Sequence, residues 1–228
     1  MSREFILRDA KRIRIFVGHY GSGKSEIALN CAIAERKQYD NVAICDMDIV
    51  NPYFRTNDAR QVLEKAGVTV IAPAYANTNL DLPVLPEDIM RVFADDTCHA
   101  IFDVGGDDDG AIALGQYYPH LKDADYGMYL VVNLLRPSTE TVEDIVEMAH
   151  NIQDASRLKI TGLVNNTNLS YESAAQQVTD SMDTVRRAAD ALGVPLSFVT
   201  ARRDIAQTLG GEVLPLDLHL SLPFEPKF

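Results

Sequence analysis

Only three cysteines, Cys31, Cys45 and Cys98, occur in the 228 residues, and no two form a CxxC pair. That excludes a zinc knuckle and a disulfide framework and fits a reducing compartment. No uninterrupted apolar run approaches the roughly 18 residues of a membrane span. The opening stretch MSREFILRDAKRIRIFV carries charge on both sides of any apolar segment, unlike a secretory signal. The expectation is a soluble, cytoplasmic protein. Basic residues are scarce too: 21 Lys plus Arg stand against 33 Asp plus Glu, a formal charge of -12. Such a surface repels phosphate backbones and anionic lipid, so neither nucleic acid nor membrane is expected as a partner. Linkers, repeats and low-complexity tracts are absent as well, and residues 1–228 read as one domain.

What is present is alternation. Short apolar runs at residues 13–17, 41–46, 68–72, 99–104, 126–133, 159–166 and 195–200 are separated by longer amphipathic stretches. That pattern predicts an α/β fold in three layers, a mainly parallel sheet of about seven strands flanked by helices. Near-continuous Val, Ile and Phe in the runs suits strands covered on both faces. Val142, Ile145, Val146, Ala149 and Ile152 recur at helical spacing, as do Ala175, Val178, Met182, Val185, Ala189 and Leu192. Glu140, Glu143 and Asp144 crowd the start of the first of these helices, where exposed N–H groups favour carboxylates. Two long connections, residues 46–58 and 73–86, exceed ordinary loop length, which points to functional loops.

Directly after the first run stands GHYGSGKS, residues 18–25, which fits the phosphate-loop pattern GxxxxGK[ST] and leads into the helical stretch EIALNCAIAER. Backbone N–H groups of Gly21, Ser22, Gly23 and Lys24 must line a concavity that a phosphate fills, and glycine, as at Gly18, permits the dihedrals and the close approach. Lys24 supplies the cation for the β and γ phosphates, and the Ser25 hydroxyl is placed to ligate Mg²⁺. Glu26 follows at the start of the helix and is counted with the nucleotide-binding residues.

The fourth run ends HAIFDVGGDDDG, which puts Asp103 where a carboxylate reaches the metal and Gly106 where a backbone N–H meets the γ-phosphate. Asp107, Asp108 and Asp109 read equally as an acidic turn or a second cation site. The second run ends CDMDIVNPYFRT, with Asp46 and Asp48 two residues apart at the ligand-bearing sheet edge. Asp46 is assigned to a metal-bound water and Asp48 to orienting or deprotonating the attacking water. Asn51 and Arg55, on the same loop, read as contacts to the γ-phosphate or a second substrate, with Arg55 equally a solvated cation, and Arg136 reads as an anionic-substrate contact or a cap on the strand end. The histidines have no spacing partner for a metal site, and Cys45 reads as a small buried hydrophobe.

Together, the loop at residues 18–25, the DxD at Asp46 and Asp48, the DxGG at residues 103–106 and an Asn after the sixth run (Asn165) resemble the MinD/ParA/CobQ/CobB group of P-loop NTPases. This is the SIMIBI class, which also holds dethiobiotin synthetase, nitrogenase iron protein and the signal-recognition GTPases. The resemblance implies that Asn165 hydrogen-bonds adenine, with Asn166 as the adjacent competitor and residues 200–203 lining the base pocket. It therefore implies ATP and Mg²⁺ as ligands. GTP-binding relatives carry NKxD or TKxD here, whereas this chain has NNTN. One departure stands out: MinD and ParA relatives place a signature lysine after the first loop glycine, to reach a dimer partner's phosphate, and this chain has His19. A homodimer driven by nucleotide is thereby left open.

Three functions compete. The first is an ATPase switch acting on a protein client in maturation or cofactor insertion, with Lys24, Asp48 and Asp103 as catalytic residues and Ser25, Asp46 and Asp103 around the metal. The second is a ligase of the dethiobiotin synthetase type acting on a small carboxylate, its pocket built by Thr78, Asn79 and Asp81 with Arg55 and Arg136. Segregation on DNA or membrane ranks last, because the charge opposes it and the C-terminus lacks a basic amphipathic helix.

Overall fold

The computed structural model describes residues 11–48, 60–72, 88–210 and 213–220, without the side chains of Asp107 and Asp108. Among these residues eight strands form one sheet: β1 (Ile13–Val17), β2 (Val42–Met47), β3 (Thr69–Ile71), β4 (His99–Val104), β5 (Tyr126–Val132), β6 (Gly162–Asn165), β7 (Leu196–Arg202) and β8 (Val213–Leu216). The order is β3-β2-β4-β1-β5-β6-β7-β8 and every pairing is parallel. β1 is central, with later strands added on one side through β4 and on the other through β5. The carboxyl ends of these central strands are thus brought to one edge, where ligands of open α/β sheets bind.

Among the described residues eight α-helices connect them: α1 (Lys24–Arg36), α2 (Arg60–Lys65), α3 (Ile89–Ala94), α4 (Asp107–Gly115), α5 (Tyr118–Leu121), α6 (Val142–Ser156), α7 (Ala175–Leu192) and α8 (Arg203–Ala206). Strand periodicity sorts the core into two layers. Ile13, Ile15 and Val17 point to the face covered by α3 to α7, where they meet Phe102, Ile145, Ala149 and Val185. Phe16, Ile44, Ile101, Val131 and Val164 point to the other face, against Ile27, Ala28 and Cys31 of α1. The expected three layers are present. The buried stripe of α6 is Ile145, Ala149 and Ile152, and Thr141 caps it in a reciprocal box with Asp144.

The sheet has one strand more than the seven runs predict. β8 carries Pro215, which argues against a strand by pattern, yet among the described strands β8 stands at the edge beside β7, where a missing N–H is tolerated. Asp107 to Asp109, read equally as an acidic turn or a second cation site, stand in the first turn of α4, whose N-cap is Gly106. At the opposite, amino-terminal edge of the sheet, Arg14 and Glu35 form a buried ion pair, and His99 stacks on Tyr39 with ring centroids 3.5 Å apart. Burial, then the charges of Arg14 and Arg12, hold the His99 pKa below its ordinary value.

Candidate nucleotide site

Residues 18–23 turn from the end of β1 into the N-terminus of α1. Gly18, Gly21 and Gly23 have φ of 139°, 77° and 90°, conformations that side chains resist. Space is also short, since a Cβ on Gly18 would lie 2.6 Å from the Val131 carbonyl oxygen of neighbouring β5. The Lys24 ammonium donates to the carbonyls of Gly18 and His19 at 2.9 Å each, folding back along the loop. Ser25, half-buried, follows in the first turn of α1, with the helix N-terminus offering its N–H groups to an anion. Glu26 is engaged elsewhere: its carboxylate accepts from the backbone N–H of His219 at 2.8 Å and of Leu220 at 3.1 Å. With Asn30, which exchanges two hydrogen bonds with the Asp217 backbone, it ties the segment after β8 onto α1.

Asp46 and Asp103 are register partners on adjacent strands, and Asp103 is also opposite Phe16, two residues before the loop. Both share strand parity with Ile44 and Ile101, so both lie on the α1 face together with Ser25. Each is buried, as is Asp48, whose backbone N–H donates to Asp46 Oδ1 at 3.0 Å. Two carboxylates side by side and out of water repel, a setting that a divalent cation relieves. Among the described residues no group of three or more His, Cys, Asp or Glu side chains converges as a metal cage. Mg²⁺ is bound through one or two carboxylates and completes its shell with water and phosphate oxygens, a donor set that Asp46 and Asp103 could supply.

Two glycines allow the second loop to approach the first. A Cβ on Gly106 would lie 2.7 Å from the backbone nitrogen of Tyr20, and one on Gly105 would lie 3.1 Å from Asp48 Cγ. The start of α4 therefore rests directly on the phosphate loop.

The two asparagines after β6 part ways. Asn165 is fully buried, with Nδ2 donating to Ser181 Oγ at 2.8 Å and Oδ1 accepting from the N–H and hydroxyl of Thr167. Its amide is hydrogen-bonded to groups of the core, whereas the resemblance implied a contact with the base. Asn166 faces the loop instead: Nδ2 donates to the Ser22 carbonyl at 2.7 Å and Oδ1 accepts from the Thr200 hydroxyl. In the segment expected to line a base pocket, Arg202 pairs with Asp204 and Arg203 with Asp217. These partners hold the Asp204 pKa down to about 2 and lower that of Asp217.

Arg136 has a role that sequence alone could not supply: its Nε donates to the Gly21 carbonyl at 3.2 Å. His19 Nε2 is 3.4 Å from Ser138 Oγ, and both line a cavity of about 340 Å³ with Gly18, Asp144, Glu147 and Asn151. All three cysteines are buried, and burial pushes the Cys45 thiol well above its ordinary pKa. No described helix is long and apolar enough to cross a membrane. Asn51, Arg55, Thr78, Asn79 and Asp81 lie outside the described residues.

No protein-family model matches the chain, and no curated protein does. Solved structures do resemble it. Cell division protein FtsY of Thermotoga maritima is 17% identical with a TM-score of 0.55, the match covering 87% of this chain and 64% of that one. Chloroplast FtsY of Physcomitrella patens is 15% identical with a TM-score of 0.56, covering 87% and 61%. Signal recognition particle 54 kDa protein of Aeropyrum pernix, in complex with GDP, is 16% identical with a TM-score of 0.53, covering 94% and 45%. This chain spans less than two thirds of the length of each. The fold they share with it is the three-layer α/β fold of the P-loop NTPases.

Proposed function

We propose that this chain binds ATP with Mg²⁺ at residues 18–25, hydrolyses it, and uses the cycle as a switch on a protein client. The observation that carries the reading is the loop itself: three glycines at positive φ, Lys24 lying along it and α1 starting from it. Such a nest, at a helix N-terminus and beside a lysine, is built for a phosphate chain. In the reading, Lys24 neutralises the phosphates, while Ser25, Asp46 and Asp103 hold the metal, which offsets charge on the transferred phosphoryl group. Asp48, held beside Asp46 and against Gly105, orients the attacking water and accepts its proton.

Adenine is the favoured base because the run at residues 165–168 offers no carboxylate to guanine, and Asn166 takes over the base-proximal position from Asn165. GDP in the Aeropyrum pernix neighbour makes GTP the competitor. The close packing of Gly106 on Tyr20 favours a switch, since an occupied loop acts directly on the start of α4. A ligase reading has the cavity beside Gly18 and His19 in its favour, but Asp144 and Glu147 in its lining oppose a carboxylate acceptor.

The test compares Asp48→Ala with Lys24→Ala in nucleotide binding and turnover. Asp48→Ala keeps ATP and loses hydrolysis, and Lys24→Ala loses binding. A protein recovered from native extract with the ATP-loaded Asp48→Ala form, and missing with Lys24→Ala, supports the switch; unchanged turnover in Asp48→Ala removes the water-orienting assignment.

A further inference from the structure

Arg136 leaves the end of β5 and lies across the tip of the phosphate loop. Beyond the Nε bond to Gly21, a methyl on Gly21 would meet Nε at 3.4 Å and Cζ at 3.5 Å, so the guanidinium is stacked on the loop. Its backbone is fixed at both ends, with Arg136 N donating to Asn133 O at 3.0 Å and Arg136 O accepting from Thr139 N at 3.0 Å. Asn133 is buried and in turn holds Leu135 N and Asn168 O. The Arg136 side chain is exposed and has no ion pair among the described residues, whereas Arg202 and Arg203 each have a carboxylate. Holding a guanidinium on a carbonyl through Nε leaves its outer N–H donors for an anion.

The charge balance at this edge calls for such a group. Asp46, Asp48 and Asp103 are buried along this edge in a chain of formal charge -12, and the loop residue that follows Gly18 is a histidine, without the fixed charge of a lysine or arginine. Lys24 is one ammonium against three carboxylates and an incoming polyphosphate. A second fixed cation beside Gly21 supplies what residue 19 does not.

We propose that Arg136 is a phosphate-binding residue of the site, its guanidinium braced on Gly21 and contacting the nucleotide's phosphate chain in cis. The proposal rests on the nucleotide-binding reading and adds to it the residue that completes the site within one protomer.

The experiment measures ADP and ATP binding by calorimetry with Mg²⁺, for the wild type, Arg136→Gln and Arg136→Lys, alongside the melting temperature without nucleotide. The glutamine variant is expected to bind both nucleotides about 10- to 100-fold more weakly, as for one lost charge-assisted hydrogen bond. It keeps its melting temperature, its affinity depends less on salt, and lysine restores part of the loss. Affinity within twofold of the wild type overturns the proposal. So does a loss that tracks a lowered melting temperature and is not restored by lysine, because the side chain then only braces the loop. Mixing Arg136→Gln with Lys24→Ala protein tests the cis geometry: no recovery of turnover is expected, and recovery places the arginine in a partner's site. A wild type that binds no nucleotide sinks the nucleotide reading itself, whereas the other adverse outcomes sink this proposal alone.

Discussion

Replacing Asn166 by alanine separates the nucleotide site from the core beneath it. The amide is buried and joins the Ser22 carbonyl to the Thr200 hydroxyl. Its loss strands the Ser22 oxygen, while Thr200 keeps a longer bond of 3.4 Å to Asn165 O. One buried acceptor left unpaired and one weakened hydroxyl come to about 2–4 kcal/mol. For a chain of this size that lowers the melting temperature by roughly 4–16 °C. The loop also loses its lateral support, so nucleotide affinity should fall at temperatures where the variant is fully folded. Asn165→Ala is the control, since its amide bonds Ser181 and Thr167 in the core and should cost stability with affinity preserved. Differential scanning fluorimetry and calorimetric titration of both variants decide it. Equal nucleotide affinity for Asn166→Ala and wild type, both folded, refutes the assignment of Asn166 to the site.

Gly106→Ala puts a methyl 2.7 Å from the Tyr20 backbone, which no rotamer relieves, so turnover should drop at least tenfold, measured by phosphate release. Glu35→Gln leaves the Arg14 charge buried and should cost about 3–5 kcal/mol in denaturant unfolding, with nucleotide affinity unchanged because the pair sits at the far sheet edge. The Asp217 carboxyl is held below its ordinary 3.8 by the Arg203 hydrogen bond, so its stabilisation is complete above that value and lost as pH falls through the lower, folded one. Hydrogen exchange at residues 213–220 should therefore accelerate below about pH 4, and Asp217→Asn should abolish this acid step.

Much of this was legible from residue patterns. The runs that became β1, β2, β4 and β5 are continuously apolar because both their faces are covered, and GxxxxGKS carries its own geometry in its glycines. β8 escaped because Pro215 breaks the pattern and only edge placement excuses it. The Asn165 and Asn166 question was decidable in principle: Val164 packs with α1 while Leu163 packs on the opposite layer, so period-two alternation sends Asn166 toward the loop and Asn165 toward α7. The same parity puts Asp46 and Asp103 on the α1 face. Arg136 was visible only as a residue at the right edge, because its partner Gly21 is 115 positions away and no local pattern links them. Glu26 looked like part of the loop by adjacency, yet its carboxylate is held by backbone groups of His219 and Leu220, a pairing set by tertiary structure.

The most direct measurement is calorimetric titration of the wild type and Lys24→Ala with ATP and with GTP, each with Mg²⁺. The account predicts that the wild type binds ATP more tightly than GTP and that Lys24→Ala binds neither measurably. Equal or tighter GTP binding contradicts the adenine assignment, and binding that survives in Lys24→Ala, or none in the wild type, contradicts the site.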